Sequence, residues 1–285
     1  MSTALELNRA NMLRPVSLPS PSPDTAVVVT GASAGIGTEL ARELARRGHG
    51  LILVARRRDR LEELAAELRD ANGVTVDVRP CDLADATARG ALVAEVQGSG
   101  RAIVGLCNNA GFGLFGSVVE LERDHEQVQL NVVALHELTH AFLPDMLARG
   151  ESAILNVGSL AGNQPIPYNA TYAATKAFVN SFSEGLHGEL SGTGVSCTVM
   201  CPGPVRTEFA DIAGVGSLNG FGGRLMWTQA DRVARVSVDA MERGKRVVHP
   251  RLQEMMTAQL GRMTPRALLV PLTARVTRGR GGDSH

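Results

Sequence analysis

Ala26-Val-Val-Val-Thr-Gly-Ala-Ser-Ala-Gly-Ile-Gly37 is the stretch on which the reading of this chain turns. An apolar, β-branched run feeds directly into glycines at Gly31, Gly35 and Gly37. The residues that follow, Thr38-Glu-Leu-Ala-Arg-Glu-Leu-Ala-Arg-Arg-Gly48, carry apolar side chains at helical spacing and stop at a glycine. Strand, glycine turn and helix in this order aim backbone N–H groups and a helix N-terminus at a pyrophosphate. The glycines let the chain turn sharply and let a ligand approach the backbone. A nucleotide site around Gly31, Ser33, Gly35, Ile36 and Gly37 is therefore expected.

Outward from this turn, apolar strand-like runs alternate with helical patterns. The strand candidates are Ala26–Thr30, Gly50–Ala55, Val74–Pro80, Ile103–Asn108, Ser152–Val157 and Val195–Met200, and between them lie helical patterns at Arg58–Asn72, Asp85–Gln97, Arg123–Arg149 and Tyr172–Ser191. The alternation predicts an α/β protein with a single Rossmann-fold domain, a doubly wound parallel sheet covered by helices on both faces, and ligands at the carboxyl ends of the strands. That domain is expected over residues 25–255, with no internal repeat. Residues 1–24, with Pro15, Pro19, Pro21 and Pro23 among serines and no apolar h-region, read as a disordered leader rather than a secretory signal. Residues 256–285 read as a basic amphipathic extension. In the helix Phe178–Leu190, Gly185 and Gly188 each cost up to about 1 kcal/mol relative to alanine. Either close packing against another helix, across a subunit boundary for instance, or simple tolerance in a buried helix accounts for them.

Composition excludes several classes. Among 285 residues, 29 Lys and Arg balance 29 Asp and Glu, so no global field draws nucleic acid. Aromatics make up 4%, too few for a base-stacking surface. Cys81, Cys107, Cys197 and Cys201 fall in or at the end of apolar runs without a Cys-x-x-Cys pair, as expected of buried free thiols in a reducing, cytoplasmic setting. The seven histidines are scattered, so no metal site is expected. No run reaches the 18 or so apolar residues of a membrane span.

Tyr172 and Lys176 lie four residues apart in Thr171-Tyr-Ala-Ala-Thr-Lys-Ala, thirteen residues after Ser159. On a helix that spacing stacks phenol and ammonium on one face, one turn apart. A phenol has an unperturbed pKa of about 10. A fixed ammonium beside it favours the phenolate, so a tyrosine able to exchange protons near neutrality is expected. Tyr168 lacks a lysine four residues on and reads as a pocket-lining residue.

Thr30-Gly-x-x-x-Gly-x-Gly37, Asn108-Asn-Ala-Gly111, Asn131, Ser159, Tyr172-x-x-x-Lys176 and Pro202-Gly203 resemble, in order and spacing, the motifs of the classical short-chain dehydrogenases/reductases, over roughly residues 25 to 250. The resemblance implies that Tyr172 donates a proton to a carbonyl oxygen, that Ser159 orients that oxygen, and that Lys176 lowers the tyrosine pKa and binds the nicotinamide ribose. It implies that Asn131 holds a water linked to Lys176. It places the cofactor against Asp82 and Leu83, against Asn109, Ala110 and Gly111, and along Pro202, Gly203, Val205 and Thr207. The texture around Val54-Ala-Arg-Arg resembles the ketoacyl or hydroxysteroid reductase branch.

The end of the second strand bears on which nicotinamide cofactor is used. A carboxylate there holds the ribose hydroxyls of NAD, but this strand ends at Ala55 and runs into Arg56-Arg57-Arg58. Guanidinium groups match a phosphate. NADPH/NADP+ is the expected cofactor, with Arg56 as the main contact to the 2′-phosphate and Ser33 assisting.

Phe112, Leu114, Phe115, Leu160, Ala161 and Ile166 predict an apolar pocket and hence a hydrophobic carbonyl, a ketoacyl chain or steroid-like ketone. The loop after Thr207, with Phe209, Ile212, Val215, Leu218 and Phe221 among small residues, reads as a mobile lid. The C-terminal stretch from Leu260 to Arg280 mixes Leu268, Leu269, Val270, Leu272 and Val276 with five arginines. It fits peripheral contact with an anionic membrane, a neighbouring subunit, or a cover for the pocket. A homodimer or homotetramer with a small-molecule carbonyl or alcohol substrate is the expected state. A non-catalytic NADP-binding scaffold would be expected to lose the tyrosine or lysine. An epimerase or dehydratase would want an acid near position 55.

Overall fold

The run Thr25–Thr30 folds as β1 and every one of its residues is buried. The same holds for β2 (Leu51–Ala55), β5 (Ser152–Val157) and β6 (Val195–Met200). A strand buried on both faces reads as a continuous apolar run rather than an alternating one, which is why these strands stood out in the sequence. The computed structural model describes residues 18–208 and 227–277. Within them, β3 (Val76–Pro80), β4 (Ala102–Asn108) and β9 (Val247–Val248) complete a seven-stranded sheet in the order β3-β2-β1-β4-β5-β6-β9. All of its pairings are parallel. The short strands β7 (Val205–Arg206) and β8 (Thr228–Gln229) pair separately.

Side chains alternate across β1. Val27 and Val29 pack with Leu40 and Leu44 of α1 (Gly35–Arg46), Leu61 and Leu64 of α2 (Arg58–Asn72), and Val233 and Val238 of α7 (Ala230–Glu242). Ala26 and Val28 face Leu92 of α3 (Ala86–Gln97), Phe142 and Met146 of α5 (Leu135–Arg149), and Leu186 of α6 (Ala170–Glu189). The sheet is thus covered on both faces, as the alternation of patterns predicted.

Several features differ from the sequence expectations. The stretch expected as one helix over 123–149 is three pieces: α4 (Asp124–Val128), a π-helical turn at Gln129–Ala134, and α5. The wider turn falls where Asn131 must reach both the Phe112 backbone and Thr175. The seventh strand and α7 lie beyond the expected alternation: a two-residue strand has no readable period, whereas α7 buries Val233, Ala234, Ser237, Val238 and Met241 at helical spacing. Leu18, expected in a disordered leader, is buried against β1 and β4, where Gly105 leaves room for it: a Cβ at Gly105 would lie 3.1 Å from the Leu18 Cδ1. The remainder of the expected leader lies outside the described residues.

The expected boundary at residue 256 falls inside α8 (Leu252–Met263), which is followed by α9 (Arg266–Thr277). These helices are tied back onto the chain. Arg262 Nε donates to Asn163 Oδ1 (2.9 Å) and Thr277 Oγ1 to the Pro167 carbonyl (2.8 Å). A Cβ at Gly185 or Gly188 would meet nothing within 4 Å, so helix packing among the described residues does not explain these glycines. No helix among the described residues is long and apolar enough to cross a membrane.

The glycine turn is closed by contact. Gly31 has φ 66°, the left-handed region that favours glycine. Gly37 packs so tightly that an added Cβ would strike the Gly31 carbonyl and the Asn109 side-chain amide. Gly37→Ala is therefore expected to destabilise the protein by about 1–3 kcal/mol, read as a lower urea midpoint, whereas Gly90→Ala, where a Cβ meets nothing within 4 Å, should not.

Candidate active site

The carboxyl ends of β1, β4 and β5 open into a cleft of about 660 Å³. Its floor is held together by side chains that satisfy strand-end backbone groups. Thr30 Oγ1 donates to the Cys107 carbonyl (3.1 Å) and accepts from Asn109 N (2.9 Å) and Ala110 N (3.0 Å). Asn109 Nδ2 donates back to the Thr30 carbonyl (2.9 Å). Asn108 Nδ2 reaches Thr139 Oγ1 (3.1 Å) and Asn156 Oδ1 (3.0 Å). The Asn-Asn-Ala-Gly segment is thus a clamp between neighbouring strand ends.

One end of the cleft has the features of an anion site. The N-terminus of α1 opens onto it through Ala34, Gly35 and Ile36, has no side-chain cap, and carries no acidic residue in its first turn. Its first N–H groups therefore remain for a ligand. The residues expected to contact the cofactor, Gly31, Ser33, Gly35, Ile36, Asp82, Leu83, Asn109, Ala110, Gly111, Pro202, Gly203, Val205 and Thr207, all line this cleft. Gly37 is not in the lining; it acts behind the turn. The uncapped helix N-terminus and the absence of an acid where β2 ends suit the anionic groups of a dinucleotide.

Arg56 is the expected main contact to the 2′-phosphate. Arg56 lines the cleft, but its guanidinium is turned to Glu126 (3.4 Å) and Asp82 (4.0 Å). The guanidinium on Ser33 belongs to Arg57: Nε and Nη2 donate to Ser33 Oγ at 3.3 and 3.2 Å, and Nη2 to the Ser33 carbonyl at 3.1 Å. Consecutive residues leaving a strand point to opposite sides, so a basic run there marks the region but not the residue. Glu208, unremarked in the sequence, faces Arg57 (3.2 Å) and Arg60 (2.6 Å). Asp82 Oδ1 accepts from Ala84 N (3.0 Å) and so shapes the turn after β3.

At the other end lie Ser159, Tyr172 and Lys176, all in the lining. Lys176 is buried, and its Nζ donates to the Val157 carbonyl at 2.8 Å. It lies 5.8 Å from the centre of the Tyr172 ring. Burial lowers the ammonium to about 8. Burial raises the Tyr172 phenol to about 12, against an opposing hydrogen bond with the Ser159 side chain. The expected lowering of the phenol by the lysine is thus not present in the protein alone. The ammonium is engaged by the Val157 carbonyl at the end of β5, and burial dominates the phenol.

Asn131 is 2% exposed and not in the lining. Its Oδ1 accepts from Phe112 N (3.1 Å), and its Nδ2 donates to the Phe112 carbonyl (2.8 Å) and Thr175 Oγ1 (3.1 Å). It supports the wall from behind. Asn180, missed in the sequence, holds Ser159 in the same two-ended way. Its Nδ2 donates to the Ser159 carbonyl (3.0 Å), while Oδ1 accepts from Ser159 N (3.4 Å). Its place four residues after Lys176 puts it on the same helix face, a signal the spacing does carry. Tyr168, expected in the pocket wall, is not among the lining residues; its backbone is left-handed (φ 61°) and its carbonyl accepts from Gly116 N (2.8 Å). Phe112, Phe115, Leu160, Ala161 and Ile166 do line the cleft, with Gln164, Trp227 and Thr257. The expected lid residues Phe209, Ile212, Val215, Leu218 and Phe221 lie outside the described residues.

The lowered lysine has a consequence for stability. Between pH 8 and its ordinary value of 10.5, the unfolded chain holds the Lys176 proton and the folded chain does not. Stability rises with pH wherever the unfolded state binds more protons. Cys107, Cys197 and Cys201, each pushed by burial up to about 12, and Tyr172 act with the opposite sign. The contrast between wild type and Lys176→Met isolates the lysine. From pH 7.5 to 9.5, urea unfolding should show wild type gaining stability relative to the mutant.

A family model described as short chain dehydrogenase matches residues 25–214. Sulfoacetaldehyde reductase 2 of Chromohalobacter salexigens is 40% identical over 187 residues, which span 64% of this chain and 73% of that protein. A short-chain dehydrogenase from Sphingobium yanoikuyae, solved in complex with NADPH, is 35% identical with a TM-score of 0.75, over 84% of this chain and 94% of that one. The bulky-bulky ketone specific alcohol dehydrogenase from Comamonas testosteroni is 30% identical with a TM-score of 0.71, over 85% and 94% of the two chains. With a match over most of its strands and the Ser159, Tyr172 and Lys176 constellation in one cleft, the chain belongs to the short chain dehydrogenase family and is an oxidoreductase.

Proposed function

We propose that the protein uses NADPH to reduce the carbonyl of a hydrophobic ketone, ketoacyl or steroid-like, to an alcohol, with Tyr172 as proton donor. The observation that carries this reading is the hydrogen-bonded pair Ser159 and Tyr172 in the cleft wall, with buried Lys176 beside it. When bound, the nicotinamide supplies the hydride. Charge then grows on the carbonyl oxygen, and the hydroxyls of Ser159 and Tyr172 are the donors placed to receive it. A phenol raised to about 12 stays protonated across the physiological range and so is always loaded for donation. Lys176 contributes a positive charge near the developing alkoxide, held by the Val157 carbonyl. Asn180 fixes the Ser159 backbone, and Asn131 fixes the Phe112 wall.

Ser33 with Arg57 is the site we assign to the 2′-phosphate. The fork on Ser33 presents charge where β2 ends without an acid, and the Sphingobium relative was solved with NADPH. For the substrate, the wall of Phe112, Phe115, Leu160, Ile166 and Trp227 favours bulk and low polarity. A small sulfonated aldehyde, as reduced by the Chromohalobacter relative, would want a cation beside it. Among the described lining residues next to Phe112 that cation is Arg123, and both its Nε and Nη2 are bonded to Glu126 at 2.7 Å. The Comamonas relative's bulky ketones are the better guide.

Two measurements test the proposal. NADPH oxidation against ketones of graded size should rise with apolar bulk and fall by about 10²–10⁴-fold in Tyr172→Phe; near-normal turnover in a folded Tyr172→Phe would refute the mechanism. Arg57→Ala should weaken NADPH binding by about 10- to 100-fold while sparing NADH, with a smaller loss in Arg56→Ala. A larger loss in Arg56→Ala would return the phosphate to that residue.

A further inference from the structure

Glu208 sits directly after the cleft residue Thr207 and itself lines the cleft, next to the arginine that holds Ser33. Its two carboxylate oxygens face two different arginines, Arg57 at 3.2 Å and Arg60 at 2.6 Å. Arg57 is the same guanidinium that donates to Ser33, so one fork carries both the Ser33 hydroxyl and an internal anion. A carboxylate and a phosphate dianion compete for the same N–H donors and repel each other at close range. Arg56 and Arg123, the other arginines of the lining, are each paired with Glu126.

We infer that Glu208 is a built-in competitor for the 2′-phosphate of NADPH, occupying the donors of Arg57 and Arg60 and thereby setting the margin by which the protein prefers NADPH over NADH. The inference rests on the assignment of Arg57 and Ser33 to that phosphate. Glu208, Arg57 and Arg60 are each roughly half exposed, with side-chain exposures of 46%, 39% and 43%. Ion pairs of that exposure are weak. The carboxylate is therefore displaced by the cofactor rather than blocking it, and its cost appears as a reduced affinity for phosphate-bearing ligands. Ligands without the 2′-phosphate leave the Glu208 pairs in place and do not feel it.

The test is equilibrium binding of NADPH, NADH, 2′,5′-ADP and 5′-AMP to wild type, Glu208→Gln, Arg57→Ala and the double variant, with thermal midpoints to show that each is folded. Glu208→Gln should tighten NADPH and 2′,5′-ADP by about three- to tenfold and leave NADH and 5′-AMP unchanged. In the Arg57→Ala background most of that gain should vanish, because the shared guanidinium is gone. If wild type prefers NADPH yet Glu208→Gln binds it no more tightly, or less tightly, the competitor role is overturned and Glu208 instead positions the arginines. Equal tightening of NADH would equally overturn it, by showing a general charge effect. If wild type binds NADH as tightly as NADPH and Arg57→Ala changes neither, the phosphate assignment itself fails and this inference falls with it.

Discussion

Where the sheet opens between β1 and β4, backbone groups that would otherwise pair across a ladder must find partners, and the site depends on how they do. The chain leaves these neighbouring strands toward opposite faces, which creates the crevice at their carboxyl ends. A buried unpaired N–H or carbonyl would destabilise the fold by as much as a typical core mutation. Thr30 and Asn109 satisfy them by side-chain bonds, while Asn108 ties the side chains of Thr139 and Asn156 together. The Asn109 amide that bonds the Thr30 carbonyl is also the atom against which Gly31 and Gly37 close. Fold stability and the shape of the nucleotide turn are therefore one problem with one solution.

The same economy recurs at β5. The Val157 carbonyl accepts from Lys176, the Ser159 backbone is gripped by Asn180, and a Cβ at Gly162 would press on the Lys176 carbonyl and Asn180. Helix α6 thus supplies the tyrosine, the lysine and the asparagine that hold the strand end in register with them. A buried ammonium is tolerated only with such a partner. Its lowered pKa and the raised phenol are two results of one dry environment.

The C-terminal helices complete the cleft from outside the parallel sheet. Arg262 is bonded to Asn163 and Glu184, and Arg266 to the Asn163 and Gly261 carbonyls. Asn163 belongs to the short turn Leu160–Asn163 that follows Ser159, so the tail is anchored on the backbone that positions the serine. Thr257 of α8 reaches the lining itself. Arg262 and Arg266, two of the arginines that read in the sequence as the polar side of an amphipathic segment, are thus engaged within the chain. Leu260, Met263, Leu268 and Leu272 remain exposed.

The sequence by itself determined the layer architecture and which residues gather at the cleft. Fully buried strands appear as unbroken β-branched runs, and the glycine turn and the Tyr172–Lys176 spacing are local patterns with local geometric meaning. It could not determine which of two adjacent arginines turns to Ser33, because that depends on whether Glu126 or Glu208 stands nearby, and these lie 70 and 151 residues away from their partners. Nor could it determine the protonation balance of Tyr172 and Lys176. Spacing reports that a cation is near a phenol, but burial and the Val157 carbonyl decide how strongly each is charged. Adjacency along the chain is written in the sequence; desolvation and the choice among competing partners exist only once distant segments have met.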